Sequence, residues 1–504
     1  MPSRVLPSLD QVRDLELLLK AHHPLILIET VEEDRVATLF EYVADRLKLV
    51  LYTWTPHRGL NSVVGGAPIA GTEDPARCLA YIAQSNNEAL YHLRDFLPLL
   101  DKVDLAAQLK ELYRSLFEHR GALILTGADT TLPADLEPLF TSVDLEPPSP
   151  HAYYQFVSAV LRDLRTRIDV SVELTSEDVA VLLGHLRGLT FFEVKKVISK
   201  AVIEDGRLTR SDLAGVLEAK KRVIQRSGVL DYYPAEDTLA DIAGLRELKG
   251  WLRKRKAAFR NPEKAKEFGL SAPKGLLLLG VQGCGKSLCA KAVASEWQLP
   301  LIRLDPSTLY NKYYGESEKN LRRAIGTAES MAPIVLWIDE IEKAFGGREG
   351  SDSGPSQRIF GTFLTWLNDK QESVFVIATA NDISQLPPEL LRKGRFDEIF
   401  FVDLPSEDVR VEILRLHLRR RSRDPDAFDL PTLAQQAEGF SGAELEQVVI
   451  SALYTAFSEG RDLDDALLIS ELKATRPLAV TMAEKIQELR DWAKHRAVPA
   501  DLPS

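Results

Sequence analysis

The chain has 504 residues, 45% apolar and 27% charged, with a formal net charge of −11. That length leaves room for roughly three domains or two large ones, the composition excludes a chain disordered throughout, and the acidic balance argues against a protein whose main business is holding nucleic acid. Three cysteines without C-x-x-C spacing (Cys78, Cys284, Cys289) indicate neither a disulfide framework nor a zinc site; no signal-peptide pattern and no apolar run of ~18 residues is present, so a soluble interior protein without membrane insertion is expected.

In chain order, HPLILIETVEEDR (23–35) opens with a buried-strand run and turns into an acidic stretch. Glu29, Glu32, Glu33 and Asp34 would repel phosphate there, and no glycine frees the backbone to wrap one. ALYHLRDF (89–96) reads as a second strand ending in Arg94-Asp95, and LILTGADTTLPADL (123–136) as a third, followed by a Leu-Pro turn and a short exit strand, SVDLEPPS. Residues 1–150 are therefore expected to form an α/β domain. LRGLTFFEVKKVISKAVIEDGRLTRSDL (186–213) places a helical domain over 151–230. The basic run RKRK at 253–256 reads as a solvated helix face.

From residue 274 the text is KGLLLLGVQGCGKSLCAKAVASEW: a strand, then Gly280-V-Gln282-Gly283-Cys284-Gly285-Lys286-Ser287-Leu288, then an amphipathic helix. G-x-x-x-x-G-K-[ST] between strand and helix is a phosphate loop. Its glycines let backbone N–H groups close on the phosphates, Lys286 reaches the β/γ oxygens and the Ser287 hydroxyl meets magnesium. Cys284 is expected as small filler, with a redox-sensitive thiol as the alternative. The strand PIVLWIDEIEKAF ends in Asp339, placed for the magnesium shell, and Glu340, placed to activate water. SVFVIATAND ends at Asn381, within reach of the γ-phosphate or the lytic water. Arg392 and Arg395 follow in LLRKGRFDEIFFVDLP, too remote for their own nucleotide and suited to that of an adjacent subunit.

These residues match the AAA clade of the AAA+ ATPase superfamily. DIAGL, with Asp241, Ile242, Ala243 and Gly244, resembles the clade's adenine-pocket entry. GVQGCGKS resembles its Walker A, LWIDE its Walker B, ATAND its sensor 1 and RKGRFD its second region of homology. GFSGAEL, with Gly442 and Ala443, is similar to the start of the third lid helix, and His417 matches the lid histidine near the adenine or ribose. The resemblance implies ATP and Mg2+ as cofactors, a large α/β subdomain over 231–406, a helical lid with a C-terminal helix over 407–504, and homo-oligomeric, hexameric rings with shared active sites. NKYYGESEKNLRRA resembles the central-pore loop, with Tyr313 at the gripping position and Tyr314 and Gly315 after it. The Gly/Ser-rich loop GGREGSDSGPSQR (346–358) is expected to be mobile.

The second half also explains the first. LILTGADTTLPADL parallels FVIATANDISQLPPEL (375–390), and Gly188-Leu189-Thr190 parallels Gly439-Phe440-Ser441, at offsets of 253 (Thr126 to Thr379) and 251. The fold class is thus expected to be α/β with tandem AAA-like modules, the first a duplicate that kept its core and lost its site. The exit strand recurs too, as SVDLEPPS against FVDLPSE. As a whole the chain resembles an AAA ATPase family of cyanobacteria and algal chloroplast genomes, which implies a bacterial cytoplasm or chloroplast stroma. In the tail, Met482, Ile486, Leu489, Trp492 and Ala493 form an apolar stripe expected to pack on the chain's own lid or on a neighbouring subunit. Three functions stay open at this stage: a remodeller that pulls an unknown protein substrate through a ring pore, an ATP-gated regulatory scaffold, and a nucleic-acid motor, the last disfavoured by the charge.

Overall fold

A computed structural model describes residues 7–85, 87–100, 103–128, 130, 132–226, 228–233, 238–260, 262–309, 316–345 and 353–501. The chain divides into two compact units, 1–220 and 221–504.

In the first unit, β1 (Leu25–Glu29), β2 (Val50–Thr55), β3 (Gly59–Ser62), β4 (Ala89–Arg94), β5 (Ala122–Gly127) and β6 (Thr141–Asp144) form a sheet ordered β3-β2-β4-β5-β1-β6. All neighbours pair in parallel except β2 with β3. Parallel strands covered on both faces read as near-continuous apolar runs, and β1, β4 and β5 do so apart from Glu29, His92, Arg94 and Thr126. Helices Leu9–Lys20 and Glu33–Leu47 cover one face through Leu15, Val36 and Phe40; Pro75–Gln84 and Val103–His119 cover the other through Leu79 and Leu109. Three helices between Pro150 and Asp205 follow, with the short ladder of β7 (Ser171–Val172) and β8 (Arg207–Leu208), and a fourth, Asp212–Arg226, runs across the boundary at 220.

The second unit holds β9 (Leu230–Tyr233), β10 (Gly275–Gly280), β11 (Leu301–Leu304), β12 (Ile334–Ile338), β13 (Val374–Ala380), β14 (Glu398–Val402) and β15 (Val498–Pro499), ordered β15-β14-β10-β13-β12-β11-β9. Among the described strands only β9 is antiparallel. Helices Glu407–Arg420, Leu430–Gln436, Gly442–Glu459 and Asp465–Ala474 build a separate lid around Leu414, Leu445, Val449 and Leu468.

The two sheets run in the same succession. β6-β1-β5-β4-β2 corresponds to β14-β10-β13-β12-β11, and each is closed by one antiparallel edge strand. Thr126 pairs with Ile28 and Arg94, while Thr379 pairs with Leu278 and lies beside the first residue after β12. Both lids begin alike: capping boxes Thr190/Glu193 and Ser441/Glu444 start helices Phe191–Asp205 and Gly442–Glu459. The exit strand is the exception to the in-step repeat. Relative to these threonines, β6 sits against β1 two residues out of step with β14 against β10, so the textual match of SVDLEPPS to FVDLPSE does not carry into the pairing.

The tail packs differently from the expectation. Leu489 and Ala493 of helix Ala483–Ala493 enter the core of the large subdomain with Phe401, not the lid, and Arg490 forms a two-pronged ion pair with Asp403 (2.9 and 3.0 Å). The physical reason is the sheet edge. β14 would otherwise leave a row of backbone groups unpaired, and the tail covers it by adding β15 in parallel.

Candidate nucleotide site

β10 ends at Gly280, whose φ is +149° and where a Cβ would lie 2.0 Å from the Val402 carbonyl of β14. Only glycine fits so close an approach of two backbones. The turn then delivers Lys286 to the start of helix Lys286–Trp297. Lys286 is buried, its Nζ donating to the carbonyls of Gly280 (2.9 Å) and Val281 (2.8 Å), and burial pushes its ammonium down to about 8. A desolvated cation at a helix N-terminus is a binding position for an anion.

Beside it, Asp339 Oδ1 accepts from the Ser287 hydroxyl (2.9 Å) and from Thr379 Oγ1 (2.6 Å). Glu340 takes a left-handed backbone, φ +52°, fixed by its N–H donating to Thr379 Oγ1 (3.0 Å). Such a conformation costs about 1–3 kcal/mol in a residue other than glycine and persists only where neighbours over-determine it. The Glu340 carboxylate then accepts from Asn381 Nδ2 (3.2 Å) and from Lys343 (2.5 Å).

Two further groups escaped the sequence reading. Thr379 is the buried hydroxyl that sets both acids, and the signal was a lone polar residue in the apolar run VFVIATA. Glu342 is also buried; its Oε1 accepts the Asn381 N–H (2.9 Å), its Oε2 has no partner among the described residues, and burial raises its carboxyl. It was legible only as a third acid in DEIE.

The lid closes over this centre. Ala443 N–H donates to the Gly283 carbonyl (3.0 Å), and a cavity of about 1480 Å³ opens between phosphate loop, strand tips and lid. Asp241, Ile242, Ala243 and His417 are among the residues that line it. The Asp241 carboxylate is turned into its own backbone, accepting from Thr238 N–H (2.8 Å) and Oγ (2.6 Å), so Ile242 and Ala243 supply the apolar wall. His417 is half enclosed beside Glu446 and Arg421, and burial lowers its pKa, which favours the neutral ring. Gly244 and Gly280, expected to bind the nucleotide, do not border the cavity; the first donates its N–H to Glu412 and the second accepts from Lys286 through its carbonyl.

Arg392 and Arg395 lie elsewhere. Neither borders the cavity; Arg392 is exposed and Arg395 donates to the Leu364 carbonyl (2.7 Å). Tyr313, Tyr314 and Gly315 lie outside the described residues, as does most of the 346–358 loop.

At the corresponding place in the first unit, charges are exchanged. Glu33 opens the helix after β1 where Lys286 opens the helix after β10, and Arg94 stands beside Thr126 where Asp339 stands beside Thr379. Glu33 accepts from Thr126 (2.8 Å) and forms an ion pair with Arg94 at 3.1 Å, short of hydrogen-bond alignment. Asp95 repeats the left-handed turn of Glu340 (φ +55°). Glu32 Oε1 accepts the Phe191 N–H (3.0 Å) at the lid helix, joining the loop to the lid as Gly283 does later. The protein's own carboxylates thus take the place that a phosphate would need.

Comparison with known proteins agrees with this division. Residues 276–404 match the ATPase family associated with various cellular activities (AAA), and 427–467 match the AAA+ lid domain. Residues 11–145 and 153–227 match the N-terminal and second domains of SpoVK-like AAA ATPases. The uncharacterized AAA domain-containing protein ycf46 of Pyropia yezoensis is 38% identical over 486 residues, 95% of this chain and 97% of the relative. Its counterparts in Trieres chinensis and Guillardia theta are each 37% identical, covering 95% and 96% of this chain and 96% and 94% of their own. The chain belongs to the ycf46 family of AAA ATPases. It is an ATP hydrolase with tandem AAA-like modules, and no helix among the described residues is long and apolar enough to cross a membrane.

Within this family frame, Arg94 is expected to be structural. Arg94→Ala strands the half-buried Glu33 carboxylate and should cost the first unit about 1–2 kcal/mol. Faster amide exchange in β1 and β4, with the second unit unaffected, is the measurable result.

Proposed function

We propose that the second module hydrolyses ATP at interfaces between subunits of a homo-oligomeric, hexameric ring and uses the energy to remodel or unfold a protein substrate through the ring pore. The observation that carries the hydrolytic part is the convergence of Lys286, Ser287, Asp339, Glu340 and Asn381 on one lid-covered cavity. In this reading Lys286 and the loop N–H groups hold the β/γ-phosphates, and Ile242, Ala243 and His417 bracket the base and ribose.

Ser287 and Asp339 are a fitting pair for Mg2+, a cation that takes few protein oxygens and completes its shell with phosphates and water. Bound there, the metal would neutralise phosphate charge. Glu340 orients and deprotonates the attacking water, and Asn381 positions both Glu340 and that water. Arg392, exposed and away from its own cavity, reaches the neighbour's nucleotide as a finger; Arg395, anchored to Leu364, braces it. Tyr313, followed by Tyr314 and Gly315, grips extended polypeptide by non-specific apolar contact. The first module serves as ring architecture in a plastid stroma or bacterial cytoplasm, without a nucleotide of its own.

The test compares ATPase and substrate-unfolding rates of wild type and Tyr313→Ala. Unfolding should fall at least tenfold while ATP turnover persists. Unfolding at the wild-type rate would remove threading and leave an ATP-gated regulatory scaffold as the function.

A further inference from the structure

The lining of the nucleotide cavity is completed by residues beyond the last family match, which ends at 467. Pro477, Ala479, Val480, Arg490, Ala500 and Asp501 all border it. The chain therefore leaves the lid, packs on the large subdomain and returns to the lining of the cavity.

The return is fixed bond by bond. Asp501 Oδ2 accepts the Leu245 N–H (2.8 Å) and Oδ1 the Arg246 N–H (3.2 Å). Those N–H groups belong to the start of helix Arg246–Arg260, where the backbone lacks intrahelical partners and a carboxylate is favoured. Ala500 accepts from Leu248 N–H (3.2 Å) and donates to the Phe401 carbonyl (2.9 Å), so one short strand joins the base-pocket wall to β14. Upstream, the Arg490–Asp403 pair ties the same tail to the end of β14, itself at the cavity edge. Gly244 has φ +61°, and a Cβ there would lie 2.3 Å from Asp501 Oδ2; no side chain fits without displacing the carboxylate.

We infer that Asp501, carried on the 498–501 strand, is a positioning residue for the base-binding wall 241–245 and sets affinity for the adenosine half of the nucleotide. The inference rests on the reading of this cavity as the ATP site. Asp501 acts through the wall: it holds the backbone that carries Ile242 and Ala243. The phosphate loop, tied by Gly280, Lys286 and Ala443, does not depend on it.

The experiment uses the full chain and measures ATP binding, inorganic tripolyphosphate binding and steady-state ATP hydrolysis for wild type, Asp501→Ala, Asp501→Glu, Gly244→Ala and the double variant Gly244→Ala/Asp501→Ala. Asp501→Ala should raise Kd and KM for ATP about tenfold, from the loss of two charge-assisted hydrogen bonds, with a much smaller change in kcat and little change in tripolyphosphate affinity. Asp501→Glu should recover part of the loss. Gly244→Ala should lose at least as much, because its Cβ would also meet Val409 at 2.9 and 3.0 Å, and the double variant should fall short of additivity by the Asp501 contact that both changes break. Amide exchange at Leu245 and Arg246 should quicken while β10 and β13 stay protected, which separates a loosened wall from a misfolded unit. Equal losses for ATP and tripolyphosphate, or unchanged ATP affinity in Asp501→Ala against a wild type that binds ATP, overturn the inference alone. A wild type that binds no ATP overturns the proposed function and this inference with it.

Discussion

Lys286→Ala is expected to abolish the stabilisation that ATP gives the second unit. In the free protein the Lys286 ammonium is desolvated and held by two carbonyls, and burial has already pushed it down to about 8. Burying that charge therefore works against the unliganded fold rather than stabilising it. Against phosphate the balance reverses: charge-assisted hydrogen bonds contribute about 1.5–3 kcal/mol each, so losing them should weaken ATP binding by on the order of 100-fold or more. At ATP concentrations near 100 times the wild-type Kd, wild type should gain about 2.7 kcal/mol and the variant about 0.4 kcal/mol or less. Thermal unfolding with and without ATP reads this directly. A variant whose melting temperature rises with ATP as far as wild type's would refute the phosphate site.

Glu340→Gln should separate binding from turnover. Glutamine keeps the shape and can keep an oxygen toward Asn381 Nδ2, now 3.2 Å from the carboxylate, so the strand tip and Thr379 contact should survive. What disappears is a basic oxygen able to take a proton from water. General-base losses of this kind are typically 10²- to 10⁴-fold in rate. ATP affinity should change less than threefold while single-turnover hydrolysis falls by at least about 10²-fold. Wild-type turnover in this variant would remove Glu340 from its role and shift attention to Glu342, the buried neighbour.

Much of the architecture was legible because buried parallel strands leave unbroken apolar text. LILIE, LLLLG and IVLWI became β1, β10 and β12, and each loop that follows begins where the apolar run stops. The phosphate loop was equally plain, since its glycines answer to local backbone geometry. What stayed hidden depends on contacts between distant segments. Thr379 matters because it bridges two strand tips, Glu342 because it meets the Asn381 backbone, and Asp501 because a carboxylate meets N–H groups more than 250 positions earlier. The tail's apolar stripe announced that it would be covered without saying by what. The edge of β14 decided that, through backbone pairing that side-chain periodicity does not encode. The two-residue slip of β6 has the same origin, because a shift of two keeps every side chain on its face.

The exchanged charges of Glu33 and Arg94 make the silencing of the front module hard to undo. Converting Glu33 to lysine first would set two cations against each other; converting Arg94 to aspartate first would do so with two anions. Either single step places like charges in a half-buried space, and only the pair of changes together restores neutrality. Reversal by single substitutions therefore meets a barrier in either order, so related chains should keep these two charges together or exchange both.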